Sequence, residues 1–167
     1  MIKERKLNRY SNYNYNLPGY YFITICVQDR IKYFGKIGDG RMILNKYGKI
    51  AIKYLMKIPN FYTNVAIDEF VIIPNHIHII IEIKSVGTEQ CSVPTGVKNI
   101  NYGLLSKVVK SFKDVTTKEI HGALNDYHFQ WQRSFYDHII RDENGLYNIR
   151  QYIINNPSQW NRDRNNV

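Results

Sequence analysis

The chain has 167 residues, of which 44% are hydrophobic and 22% charged, and these values predict one globular domain with its own core. Its short apolar runs, such as 70–73, and its isolated Cys26 and Cys91 exclude a membrane protein, a disulfide scaffold and a zinc ribbon, and favour a cytoplasmic protein. The net charge of +9 favours a polyanionic partner, either nucleic acid or a membrane surface. The 14 tyrosines favour nucleic acid, because tyrosine can stack on unpaired bases.

The chain divides into an arm, a domain and a tail. Residues 1–18 are polar and basic and end at Pro18-Gly19, which is typical of a flexible N-terminal arm. We expect residues 19–160 to form the single domain and residues 161–167 a short tail.

The first half of the domain predicts a strand and a helix. Residues 20–28 are β-branched and aromatic and predict a strand, and the glycines of 29–44 indicate a loop or short hairpin. Asn45 can cap a helix that we expect to run to about Ile58 and to end at Pro59. Its lysines lie on the side opposite the apolar stripe: Lys46, Lys49, Lys53 and Lys57. This side is either a face exposed to solvent or a face that binds phosphates.

The second half predicts three more strands and two more helices. In chain order they are strands at 65–73 and 76–83, a loop at 84–100, a helix from about Tyr102 to Ile120, a strand within 129–140, and a helix from about Asp142 to Pro157. The first six elements read βαββαβ, which predicts an α+β, ferredoxin-like antiparallel sheet with helices on one face and an additional C-terminal helix. The first and third strands are central in that topology.

Two histidines begin the third strand. His76 and His78 are two residues apart, so both side chains lie on one face of the strand, and Ile77 points the other way. Two neighbouring imidazoles can chelate a divalent metal. The pattern alone also fits two hydrogen-bonded or edge-exposed histidines.

A tyrosine and an asparagine lie one turn apart on the last helix. Tyr152 and Asn156 are i and i+4, at the edge of an apolar stripe that includes Leu146 and Ile153. A tyrosine hydroxyl near a phosphate can act as a nucleophile, and an amide oxygen can bind a metal. Tyrosine at a helix edge also fits core packing, and Pro157 disfavours helical geometry at Asn156.

Four segments of the chain together resemble the single-tyrosine HUH transposases, and in particular their REP-associated tyrosine transposase branch. The segments are 70–78, Ser111-Phe112-Lys113, 131–141 and 152–157. The His-hydrophobic-His motif of this family matches His76-Ile77-His78. The family's catalytic tyrosine, with an amide residue four positions later, matches Tyr152 and Asn156.

The resemblance implies metal-dependent cleavage and rejoining of single-stranded DNA. Tyr152 would attack phosphorus to give a 5′-phosphotyrosine, and His76, His78 and Asn156 would hold Mg²⁺ or Mn²⁺. The ligand types alone would also accept zinc. The resemblance further implies hairpin-forming DNA ends as the partner, a monomer or a homodimer, and a cytoplasmic location on the nucleoid.

Other residues are predicted to assist. Tyr136, Asp137 and His138 lie in a family-like segment and are candidates to support the site, although Asp137 and His138 also fit a structural hydrogen-bonded pair. Tyr136 lacks a partner ligand at matched spacing, so Tyr152 is the expected nucleophile. The predicted DNA contacts are Lys107, Lys110, Lys113, Arg133, Arg5 and Lys6.

Two alternative functions remain at this point. A nucleic-acid-binding module without catalytic activity would keep the basic and aromatic residues but would need no metal. A metallohydrolase that uses water would need a general base, and the sequence contains no HExxH or similar motif.

Overall fold

A computed structural model describes residues 13–85, 103–163, 165 and 166. In chain order the elements are β1 (Gly19–Cys26), β2 (Gly35–Gly38), β3 (Arg41–Leu44), α1 (Lys46–Leu55), α2 (Ile58–Phe61), β4 (Val65–Ile73), β5 (His76–Ile83), α3 (Leu104–Leu124), β6 (Tyr136–Ile140) and α4 (Glu143–Asn155). Most of the predicted arm and of the 84–100 loop lies outside the described residues. None of the described helices has the length and apolar character needed to cross a membrane.

Four strands form one antiparallel sheet in the order β4-β5-β1-β6. The predicted ferredoxin-like α+β arrangement is therefore confirmed, with the first and third long strands at the centre. β2 and β3 pair separately as the short hairpin expected between 29 and 44. The sheet register places His78 opposite Thr24 and His76 opposite Cys26.

The two faces of the sheet bury unequal cores. α1 and α3 cover one face, where alternate residues of β1 and β5, including Ile23 and Ile79, join the larger core. α4 covers the other face around a smaller cluster of Ile80, Ile140, Leu146 and Ile153. His76 and His78 belong to the α4 face because they alternate with the isoleucines of the larger core.

Some predicted boundaries are wrong. α1 ends at Leu55, and Pro59 lies in the first turn of α2 rather than ending a helix. Proline is accommodated there because an N–H in the first helical turn has no partner in the helix. The strand expected within 129–140 is confirmed as β6, and Trp131, which precedes it, makes an isolated bridge to Val27.

The Asn45 cap predicts a measurable contribution to stability. Its Oδ1 accepts hydrogen bonds from the backbone N–H groups of Tyr47 at 3.0 Å and Gly48 at 3.1 Å. Asn45→Ala should lower the free energy of unfolding by about 1–2 kcal/mol, because those donors lose their acceptor. Urea denaturation measures the change. Asn60→Ala, at an exposed position in α2, is the control, and equal losses for both variants would contradict the capping role.

Candidate active site

His76 and His78 converge on one point of the α4 face. Both side chains are buried, and their Nε2 atoms are 3.0 Å apart. The period of the strand puts the two rings on the same side of β5, and the strand's central position keeps them from solvent. The structure thus confirms that they share a face, as the spacing predicts.

Neighbouring polar groups fix the orientation of each ring. The amide nitrogen of Asn75 donates to the carbonyls of Arg30 at 3.1 Å and Asn165 at 2.8 Å, so its Oδ1 faces His76 Nδ1 at 2.7 Å as an acceptor. His76 Nδ1 therefore carries a proton, and in the neutral ring Nε2 presents a lone pair. The Thr24 hydroxyl lies 2.8 Å from Nδ1 of His78 and orients the second ring.

Tyr152 stands at the entrance to the histidine pair. Its hydroxyl is 3.2 Å from His78 Nε2, and its side chain is 42% exposed. The edge of its ring meets the ring of Phe22 on β1. An ion pair fastens α4 to the sheet near this point, with Arg150 Nε donating to Asp68 Oδ1 at 2.7 Å and a second guanidinium nitrogen bonding to Oδ2.

Asn156 keeps helical geometry although it precedes a proline. α4 ends at Asn155, but Asn156 has φ −56° and ψ −43°, so the one-turn relation to Tyr152 persists. Its side chain is buried, and Nδ2 is 3.3 Å from Oδ2 of Asp163. Its Oδ1 is also buried and has no hydrogen-bond partner among the described residues. A buried oxygen without a partner lowers the stability of the fold, unless a bound ligand supplies the missing interaction.

Asp163 completes the site, and sequence reasoning missed it. A 3₁₀ helix at Pro157–Arg162 folds the chain back over the sheet. Oδ2 of Asp163 lies 3.8 Å from Nε2 of His76, 4.0 Å from Nε2 of His78 and 3.5 Å from the Tyr152 hydroxyl. The signal that could have found it is Trp160, a large apolar residue within a polar tail, which packs beside His76.

The electrostatics favour an ionised Asp163. Burial acts to raise the pKa of this carboxyl, but the neighbouring imidazole of His78 and the backbone N–H of Asn165 outweigh burial. The pKa of Asp163 therefore lies well below its usual range, and the group is a carboxylate at neutral pH.

The described residues contain one group of histidine and carboxylate side chains suited to a metal ion. One ligand atom each from His76, His78 and Asp163 lies within 4.8 Å of the others. Two imidazole nitrogens and a carboxylate oxygen form a donor set that divalent first-row metals accept.

The residues predicted to support the site divide between the two faces of the sheet. Tyr136 and His138 are exposed and pair with Thr24 and Phe22, so they share the face of the histidine pair. Asp137 pairs with Ile23 and points to the opposite face. The alternation of β6 therefore separates Asp137 from the site.

Four of the predicted DNA contacts line a groove on the α3 side of the sheet, away from the histidine pair. The groove has a volume of about 1120 Å³ and runs between α3 and residues 127–135. Its basic residues are Lys107, Lys110, Lys113, Lys118 and Arg133. Arg5 and Lys6 lie outside the described residues.

Two curated proteins resemble this chain over most of its length. An uncharacterised protein of Haemophilus influenzae strain Rd is 38% identical in an alignment 170 positions long. The alignment covers 98% of this chain and 93% of that protein. A second protein of the same strain, named "Putative REP-associated tyrosine transposase", is 30% identical over 149 residues, covering 88% of this chain and 76% of that protein. No family model matches the chain.

A solved structure shares the fold. It is that of a REP-associated tyrosine transposase bound to a REP hairpin, with a TM-score of 0.60 and 19% sequence identity. The match covers 92% of this chain and 74% of that one. The 30% identity to the second Haemophilus protein over most of both chains shows the family, and the shared fold agrees with it: this chain belongs to the REP-associated tyrosine transposase family.

Proposed function

We propose that this chain cleaves and rejoins single-stranded DNA through a covalent phosphotyrosine, with Tyr152 as the nucleophile. The observation that carries the proposal is the position of its hydroxyl, 3.2 Å from Nε2 of His78, on a side chain that solvent reaches. A polymeric substrate must approach from solvent, whereas the polar groups that act on its phosphate are most effective when they are shielded from water. Tyr152 lies at that boundary, with His76, His78 and Asn156 buried behind it.

We further propose that His76, His78 and Asn156 hold Mg²⁺ or Mn²⁺. The residues fit such an ion, because two Nε2 atoms face one point and the buried Oδ1 of Asn156 has no hydrogen-bond partner among the described residues. A divalent cation there would supply Lewis acidity to the scissile phosphate. Asn75 and Thr24 would hold the rings in their binding orientation, as outer groups at metal sites do.

The proposed reaction conserves the number of phosphorus–oxygen bonds. The hydroxyl oxygen of Tyr152 bonds to phosphorus while the bond from phosphorus to the 3′ oxygen breaks. The phenol proton leaves to the surrounding water, and the departing 3′ oxygen gains a proton. The products are a 5′-phosphotyrosine and a free 3′-hydroxyl, and attack by a 3′-hydroxyl on the adduct rejoins the strand. No nucleotide cofactor is needed, because the energy of the broken bond is kept in the adduct.

We propose that the DNA partner is a hairpin-forming single strand held partly by the basic groove. The groove supplies five cations, and Asp114 is its acidic residue. Asp114 forms an ion pair with Lys110, and Lys113 donates to the carbonyls of Gln132 and Ser134. Lys107, Lys118 and Arg133 therefore carry the charge best placed for phosphates.

The alternative is a module that binds nucleic acid without cutting it. Such a module would need the groove but not a buried pair of oriented imidazoles beside an accessible tyrosine. The fixed ring orientations at His76 and His78 favour the catalytic function.

The nucleophile can be identified with a matched pair of tyrosines. Tyr136 is 41% exposed on the same face of the sheet as the histidine pair, which makes it a close control for Tyr152. Tyr152→Phe should abolish the covalent adduct with single-stranded DNA and Mn²⁺, since it removes the attacking oxygen, whereas Tyr136→Phe should retain it. Denaturing gels and mass spectrometry detect the adduct. An adduct that survives in Tyr152→Phe and disappears in Tyr136→Phe would reverse the assignment.

Loss of the Asn75 side chain should weaken metal binding. Asn75→Ala removes the acceptor that holds the Nδ1 proton of His76, so Mn²⁺ affinity should fall by about 10–100-fold. Isothermal titration calorimetry measures this affinity, and thermal melting checks that the variant is folded. Asn155→Ala, on the exposed side of α4, is the control. Equal affinity in Asn75→Ala and the wild type would contradict the role of Asn75.

DNA binding should depend on salt concentration. If ~6 phosphates are neutralised, the plot of log affinity against log salt for single strands should have a slope of about −4. Lys107→Gln or Arg133→Gln should each make the slope shallower by ~0.7. Lys53→Gln is the control, because Glu119 offsets its charge at 3.1 Å. Fluorescence anisotropy measures the slopes, and a flat salt response would exclude a phosphate-binding groove.

A further inference from the structure

The C-terminal strap, residues 157–163, brings a negative charge to the proposed metal site. It follows α4, and Asn75 holds the chain just beyond its far end by donating to the carbonyl of Asn165 at 2.8 Å. The same Asn75 side chain orients His76. One residue therefore connects the position of the strap with the orientation of an imidazole.

The two oxygens of Asp163 have separate environments. Oδ1 accepts the backbone N–H of Asn165 at 2.7 Å, which fixes the carboxylate plane. Oδ2 faces the site and lies 3.8 Å from Nε2 of His76 and 3.3 Å from Nδ2 of Asn156. The side chain is only 3% exposed, so this charge is held in a place with little access for water.

The negative charge on Oδ2 of Asp163 can offset the positive charge of a metal ion bound in this site. The imidazoles of His76 and His78 and the amide of Asn156 are neutral donors, and a divalent cation held by them alone would leave its full charge buried. Burial of an uncompensated charge is costly. A carboxylate among the ligands reduces that cost, and Asp163 is the acidic residue in the described group.

We propose that Asp163 is a metal ligand of this site, so that binding of the ion fastens the C-terminal strap beside Tyr152. The inference rests on the proposed function, because it adds a fourth residue to the proposed ligand set of His76, His78 and Asn156. Strap docking and metal binding then form one equilibrium, and each strengthens the other. The contrary arrangement is a carboxylate that occupies the ion's place and is displaced when the ion binds.

Calorimetry with Mn²⁺ and no DNA separates the two arrangements. Asp163→Asn keeps the shape of the side chain but removes its charge, and it should weaken Mn²⁺ binding by at least ~10-fold. Asp114→Asn, in the basic groove, removes a carboxylate far from the site and should leave the affinity unchanged. Unchanged or tighter binding in Asp163→Asn, in a variant that melts as the wild type does, would overturn the inference.

Proteolysis supplies a second readout. Trypsin cleavage after the exposed Arg162 reports how firmly the strap is docked. Mn²⁺ should slow this cleavage in the wild-type chain and leave it unchanged in Asp163→Asn, with each variant compared against itself without metal. Cleavage that Mn²⁺ accelerates in the wild type would show displacement of the strap and overturn the inference.

The outcomes also separate this inference from the proposed function. Failure of the wild-type chain to bind Mn²⁺ would overturn both the proposed metal site and the role of Asp163. Wild-type binding and adduct formation with no effect of Asp163→Asn on affinity or proteolysis would overturn the role of Asp163 alone.

Discussion

His76 and His78 hold their Nε2 atoms 3.0 Å apart in a buried position, and the rest of the site is arranged around that contact. Only one proton or one cation can occupy the space between two facing ring nitrogens. Nδ1 of His76 carries a proton that Asn75 accepts, so Nε2 of the neutral His76 ring has a lone pair. A proton between the two Nε2 atoms must therefore come from His78. Thr24 permits this, since its hydroxyl can either donate to or accept from Nδ1 of His78. The second ring can therefore change tautomer without moving, which would let the proposed metal ion replace the proton between the rings.

The parts of the fold and site with a regular period were predictable from the sequence. The alternation of β5 placed both imidazoles on one face, and the helical repeat placed Tyr152 and Asn156 together at one end of α4. The strand order also followed, because the βαββαβ pattern has few compact solutions. Errors lie where the period is interrupted, as at Pro59, which starts a short helix instead of ending a longer one.

Asp163, Asn75 and Thr24 were not predicted as site residues, and the one local signal among them is Trp160, three residues before Asp163. Asn75 reads as a turn residue and Thr24 as one residue of a strand. Asp163 follows α4 in a polar segment, and its position depends on the direction in which the 3₁₀ helix turns the chain. Trp160 is buried with its ring beside that of His76, a tertiary contact that the periodicity of the sequence does not encode. The Arg150–Asp68 ion pair that fixes α4 is likewise a contact between distant segments.

Because the two cores are unequal, the residues that contribute most to the stability of the fold are different from those of the proposed active site. The larger core lies on the face away from the site and includes none of the residues proposed to bind metal or attack DNA. Substitutions of site residues on the α4 face can therefore abolish the proposed activity while the larger core keeps the protein folded. Under the proposed function, such a variant would keep the basic groove on the α3 side of the sheet and would lose the cleavage chemistry of the α4 side.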